Sequence, residues 1–454
     1  MITALQSNGR RPLVLTSGFA LLGLLGGLSS AQSPMPKAAE WPEFRGPSRE
    51  GHSQAQGLPL QWSAKGGPEV RWQAALPGVG WSSPVVADGR IYLTTAVPQG
   101  EVAAAASDAN SKAAAKAAPA VAAPQSLRAL CLDGQDGRVI WSREVFVQSA
   151  DAPNIHRKNS HASPTALYED GRVYVHFGHQ GTACLDARDG AVIWSTREFA
   201  YKPRHGNGGS PVIEGDLLIF NADAEENPGV IALEKASGKL RWRFDRHSDA
   251  KAKFSFCTPL VIEVKGQRQL ITPGSGVVNA LEPATGREIW KVRYGNGYSV
   301  VPRPVFAHGM IFISTGYDKP KLLAIRVDGE GDVTDSHVAW TLEKYAPHNP
   351  SMVVVGDELY LVADNGILSC VDARSGSVHY QERCTGPISA SILHADGRLY
   401  LQDEKGLGVV VQPGKTFKVL SSNDLAQRSL ASYAVMGRDL LIRTEQALWR
   451  IGKP

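Results

Sequence analysis

One hydrophobic pattern recurs eight times along this chain. Each copy opens on small residues and proline, runs apolar to a glycine turn, and adds a second apolar run. A third run then leads into Asp-x-x-x-Gly-x-x-x-Trp. The clearest endings are Asp133, Gly137 and Trp141; Asp186, Gly190 and Trp194; Glu234, Gly238 and Trp242; and Glu282, Gly286 and Trp290. Asp372, Gly376 and Tyr380 form a fifth, with Tyr in the Trp place. The copies start at Ser83-Pro84, Ser163-Pro164, Ser210-Pro211, Thr258-Pro259, Arg303-Pro304, Pro350-Ser351, Ser389-Ala390 and Ala431-Ser432. Most starts are about 40 to 48 residues apart, the span of one four-stranded propeller blade. The last copy supplies about three strands (YAVMG, LLIRT, ALWRI), whereas Glu69 to Leu76 is an orphan strand carrying Trp72. Pairing the orphan with the last copy removes a free sheet edge. The pattern predicts an all-β fold: an eight-bladed β-propeller of four-stranded antiparallel blades, closed by an N-terminal strand.

Blades are twisted sheets that pack face to face, leaving a wedge that widens outward. A large flat ring at a fixed place on the outer strand fills that wedge, so Trp141, Trp194, Trp242 and Trp290 read as structural. Cys131, Cys184 and Cys370 share a third-strand place in different blades. Neighbouring blades hold equivalent positions too far apart for a disulfide, so these three read as small buried hydrophobes. The chain has no Cys-x-x-Cys and no adjacent cysteine pair.

The propeller is assigned to residues 70–454, preceded by an N-terminal arm over 32–69. Residues 1–31 read as a secretory leader: Arg10-Arg11, an apolar stretch from Pro12 to Leu28, then Ser29-Ser30-Ala31. The leader implies a periplasmic or secreted protein with no stable membrane span. Residues 98–125 are an alanine-rich insertion in the first blade with no apolar stripe to dock it. Asp328 to Asp332 lengthens a turn in the fifth blade without the ligand order of a calcium loop. Net charge is +4, of which Arg10 and Arg11 supply two. That balance gives no electrostatic footprint for nucleic acid.

In a propeller, the loops leading into the inner strands and those joining second to third strands emerge on one face. In this chain they bring together His, acidic and aromatic residues, while the opposite face carries turn chemistry such as DGQDG and PATG. The candidate ligand-binding residues are Trp81, Asn159, His161, His179, His205, Asn207, Asp223, Tyr298, Arg303, Asp318, Asp364, Glu404 and Glu445. His161, His179, His205 and Asp223 come from adjacent blades and could ligate a metal, grip a ligand or hold their own loops. Asp364, Glu404 and Glu445 could form an acid/base pair for glycoside chemistry or be satisfied loop carboxylates. No nucleophile elbow, zinc-helix motif or phosphate-cradling loop occurs.

The repeat and its closing Gly-x-x-x-Trp resemble the pyrroloquinoline-quinone (PQQ)-like propeller family. WPEFRGPSREG, NSHASPT, HFGHQGTACLD and HGNGGSPV are similar to an exported bacterial subgroup of it. The family includes quinoprotein alcohol dehydrogenases and the propeller lipoprotein of the outer-membrane β-barrel assembly machinery. The dehydrogenases share a vicinal disulfide over the cofactor, which this chain lacks, and their calcium ligands and catalytic Asp find no matching motif. No cofactor is therefore expected. The resemblance implies an architecture and no particular activity; the His/acid-rich face and the missing cysteine pair favour a non-catalytic binding or scaffold propeller, a monomer engaging a polymer, small molecule or envelope protein. The alternative is an enzyme at the same face, either a divergent quinoprotein or a carbohydrate-active catalyst.

Overall fold

Eight antiparallel sheets follow one another around a central channel, each ordered from an inner strand to an outer one. The computed structural model describes residues 40–452 apart from 65, 68, 100–123, 150–154, 200 and 203. The leader and nearly all of the alanine-rich insertion lie outside the described residues. Blade 1 is Val85–Ala87, Arg90–Pro98, Gln125–Asp133 and Val139–Gln148. The inner strands of blades 2 to 8 begin at Leu167, Val212, Leu260, Val305, Val353, Leu393 and Ala434. Blade 8 takes its outer strand from the N-terminus: Val70–Ala75 pairs antiparallel with Ala447–Ile451. The closure expected from the orphan Trp72 strand is what forms.

Two blades gain a fifth strand. His52–Ser53 pairs in parallel with the inner strand of blade 7. Gly331–Asp332, from the Asp-rich stretch of blade 5, pairs in parallel with Trp290 and Lys291 on the outer strand of blade 4. Among the described residues no helix is long and apolar enough to cross a membrane.

The closing motif has a more specific origin than wedge filling. All eight outer strands carry a one-residue bulge just before the Trp position, as between Val192 and Trp194. The bulge offsets the strand's alternation, so the residue after it is set toward the next blade. Cys131, Cys184 and Cys370 pair directly with Trp141, Trp194 and Tyr380. A small side chain is needed there, and all five cysteines are free. Trp141 lies over Gly190 of blade 2, Trp194 over Gly238 of blade 3, and Trp242 over Gly286 of blade 4. Each indole N–H donates to a carbonyl in the same turn: Ala187 at 3.2 Å, Lys235 at 3.0 Å and Pro283 at 2.9 Å. Trp290 departs from this scheme. Blade 5 lacks the glycine turn, and the indole donates instead to Gln269 Oε1 at 2.9 Å beneath the added Gly331–Asp332 strand.

Candidate functional site

The residue two places ahead of each inner strand faces its counterpart in the next blade, and these residues form a ring around the channel. Ser83 N–H donates to Thr165 Oγ1, Thr165 N–H to Ser210 Oγ, and Ser210 N–H to Thr258 Oγ1, each at 2.9 Å. The sequence resumes at Arg303 N–H to Ser351 Oγ at 3.0 Å, Ser351 to Ser391 at 3.0 Å and Ser391 to Ser432 at 2.9 Å. A buried backbone N–H without a partner is costly, and the recurring Ser or Thr supplies one across these six of the eight blade boundaries. The apparent starts at Ser163 and Ser389 were two residues early in blades 2 and 7; Thr165 and Ser391 hold the ring places.

Blade 5 puts Arg303 in the ring instead of a hydroxyl. Its guanidinium is buried and donates to Phe44 O at 2.7 Å, Pro259 O at 3.0 Å and Glu43 Oε2 at 3.2 Å. Glu43 and Phe44 belong to the N-terminal arm, which crosses the channel against the inner strands. Trp41 pairs with Val86 of blade 1, Pro42 O accepts from Tyr168 N of blade 2, and Gly51 O accepts from His394 N of blade 7. Arg45 is buried and donates to the carbonyls of Ile392 and Met352. Burial pushes its pKa down to about 9. The arm contacts the inner strands beyond the ring, so it closes one end of the channel, and Phe44 lines what remains. That remainder is a cavity of about 540 Å³ open at the other face.

An arc of ring contacts borders the mouth. His156 meets His205 at 5.7 Å between centroids, His205 meets Phe254 at 5.4 Å, and Phe254 meets Tyr298 at 5.5 Å. Tyr298 meets Tyr317 at 5.6 Å, and Tyr317 meets His348 at 5.5 Å. Two of the cations beside this arc hold a carboxylate and lie over a ring. Lys251 pairs with Asp318 and lies over Tyr298; Arg204 pairs with Glu225 and lies over Phe254. Two further ion pairs lie beside the lining, Lys158 with Glu404 at 2.6 Å and Arg428 with Glu445 at 2.9 Å, the latter guanidinium over the Trp81 ring. Burial holds His156 and His205 below the usual histidine range, with their mutual repulsion acting in the same direction for His156.

Of the sequence candidates, Trp81, Asn159, His205, Tyr298 and Asp364 line the cavity. Glu404, Glu445 and Asp318 sit in the ion pairs just described, and Arg303 is in the floor. The His-rich cluster divides. His161 bonds to Gln148 at 2.9 Å and Asn207 to His179 at 2.9 Å, off the cavity. His205 is apart from both, at the mouth. Asp223 is not at the rim at all. It is fully buried against Arg246 Nε at 2.9 Å, and Arg246 goes on to Thr272 and Asn279. Among the described residues no three His, Cys, Asp or Glu side chains converge on a metal position. Asp364 accepts from His348 N at 2.6 Å and from the Asn349 side chain. Glu404 and Glu445 hold Lys158 and Arg428. The sequence put His348 on this face and laid the arm over one face of the propeller; it missed the hydroxyl ring, His156, Tyr317 and the arm's path across the channel. The ring was legible in the repeated Ser/Thr, but its register needed the strands.

A family model for the outer membrane protein assembly factor BamB matches residues 125–378 and 332–421. BamB of Yersinia pestis is 23% identical over 304 residues, which cover 66% of this chain and 63% of that protein. The dehydrogenase subunit of a quinone-dependent alcohol dehydrogenase of Gluconobacter oxydans is 25% identical over 216 residues, 44% of this chain and 26% of that protein. The chain thus spans less than two-thirds of the length of these curated relatives. Among solved structures, BamB from Moraxella catarrhalis superimposes with a TM-score of 0.50 at 14% identity, covering 72% of this chain and 93% of that one. The residues here do not fit a calcium-held quinone. Asp364 is the one carboxylate among the described residues lining the cavity, its oxygens are engaged, and no two of the free cysteines are adjacent in sequence.

Proposed function

We propose, from the premise that this chain belongs to the family of the outer membrane protein assembly factor BamB, that it is a non-catalytic binding propeller of the bacterial cell envelope. The observation that carries this reading is the arc from His156 to His348 around a cavity closed at its far end. Aromatic faces supply large contact area at low entropic cost and tolerate varied partners. The charges beside them neutralise one another in pairs, which suits adhesion to a partner better than proton transfer. The leader read from the sequence supports a location in the periplasm or outside the cell. Its partner is a segment of an envelope protein or polymer, or a small molecule held at this face by a monomer.

The test is panning of the mature protein against peptide and glycan libraries, followed by titration of selected binders. The variant Tyr298→Ala with Tyr317→Ala should weaken them about tenfold or more while the Tm stays within about 2 °C, since both rings stand at the mouth. Binders that hold equally well to the double variant would show that the face is not the site.

A further inference from the structure

We infer that the cavity receives the end of a ligand rather than a strand passing through, and that this end carries a carboxylate beside an apolar or aromatic body. The inference rests on the binding face proposed above and names the chemistry that it selects.

A channel open at both ends can be threaded. This one cannot, because the arm lies across it with Phe44 facing the lumen and Arg45 and Arg303 tied to backbone carbonyls. The polar groups just above the floor are the ring hydroxyls. Six ring hydroxyls each accept a backbone N–H. A hydroxyl has one proton to give, and among the described residues none of these six protons has a protein acceptor. Ser83, the seventh, lines the same cavity, and among the described residues its hydroxyl has no hydrogen-bond partner. These hydroxyls can therefore turn their protons toward a bound acceptor at the closed end, above the buried Arg303 guanidinium and its partner Glu43.

The group that satisfies several converging donors is an acceptor with many lone pairs. A carboxylate offers two oxygens and about four lone-pair sites, and hydrogen bonds to an ion are the stronger kind. Above the ring, Phe254, Phe256 and Tyr298 offer apolar surface for the body attached to it. The one cavity carboxylate, Asp364, is held by His348 and Asn349 at the mouth. A volume of about 540 Å³ falls in the range of small-ligand pockets. A free aromatic acid and the C-terminus of a polypeptide present the same chemistry.

The experiment is calorimetric titration of the mature protein with two matched pairs. One pair is 3-phenylpropionate and 3-phenylpropanamide; the other is a hexapeptide ending in Phe as free acid and as C-terminal amide. The acid should bind about tenfold or more tightly than its amide in at least one pair. Tighter binding of the peptide acid identifies a chain end, and tighter binding of the small acid a free metabolite. Ser83→Ala should weaken the acid several-fold without moving the Tm, since that hydroxyl bonds to nothing in the protein, and Ser83→Thr should restore it. Equal binding of acid and amide overturns the inference. So does an absence of binding by all four while the ligands that depend on Tyr298 and Tyr317 still bind, and the binding face then stands. If those ligands fail too, both readings fall.

Discussion

At Gly238 a single added methyl group would come within 2.5 Å of the Trp194 ring, and the backbone there has φ of +72°. Both facts forbid a side chain, which is why this glycine recurs opposite a tryptophan. Gly238→Ala should cost about 2–5 kcal/mol, combining left-handed strain with overpacking. Gly215→Ala, also at positive φ but with open space around it, should cost only about 1–2 kcal/mol. Urea unfolding of the pair checks this, and equal losses would mean that the tryptophan contact contributes nothing. His176 makes a second residue-scale case. Fully buried on Thr182 Oγ1 and the Phe220 ring, it is pushed down to about 3. The unfolded chain takes up that proton near pH 6.5 while the folded one does not. The unfolded state therefore binds more protons, and stability falls as pH drops from about 6.5 toward 3. The slope for this residue approaches 1.4 kcal/mol per pH unit. His176→Gln should remove that share of the acid sensitivity; parallel stability curves for variant and parent would contradict it.

Among the elements, the strand Val70–Ala75 is the one whose loss reaches furthest. It gives blade 8 its outer strand and places Trp72 over Gly137 of blade 1, with the indole N–H on Gly134 O at 3.1 Å. Replacing these six residues by a Gly/Ser segment of equal length keeps the arm and the floor but opens the ring at one seam. The Tm should fall by about 5–10 °C and the protein should aggregate through the exposed Ala447–Ile451 edge. An unchanged Tm at high protein concentration would count against closure by this strand. The Gly331–Asp332 strand was legible only as an Asp/Gly loop. Two residues carry no periodicity, and their pairing with Trp290 is set by the blade beside them.

For the whole molecule, local pattern determined a great deal. Alternating apolar runs, glycine turns and the Asp-x-x-x-Gly-x-x-x-Trp ending gave blade number and approximate blade boundaries, because each is a contact between residues at a fixed spacing; closure followed from an orphan Trp72 strand matching the one missing from the last copy. The same logic placed Trp81, Asn159, His205, Tyr298 and Asp364 on one face, since the loop order of a blade dictates which loops emerge together. What the tertiary structure decided depends on side chains meeting across blades or across the full chain. Asp223 sat in the right loop yet turned inward to Arg246, because a buried guanidinium needs a carboxylate. His161 and His205, which the sequence put side by side, separated because one bonds to Gln148 and the other stacks on Phe254. The arm's path across the channel was equally invisible, for it joins Phe44 to Arg303 over 259 positions. Spacing along the chain fixes neighbours within a repeat; only the closed ring brings such distant residues to one cavity.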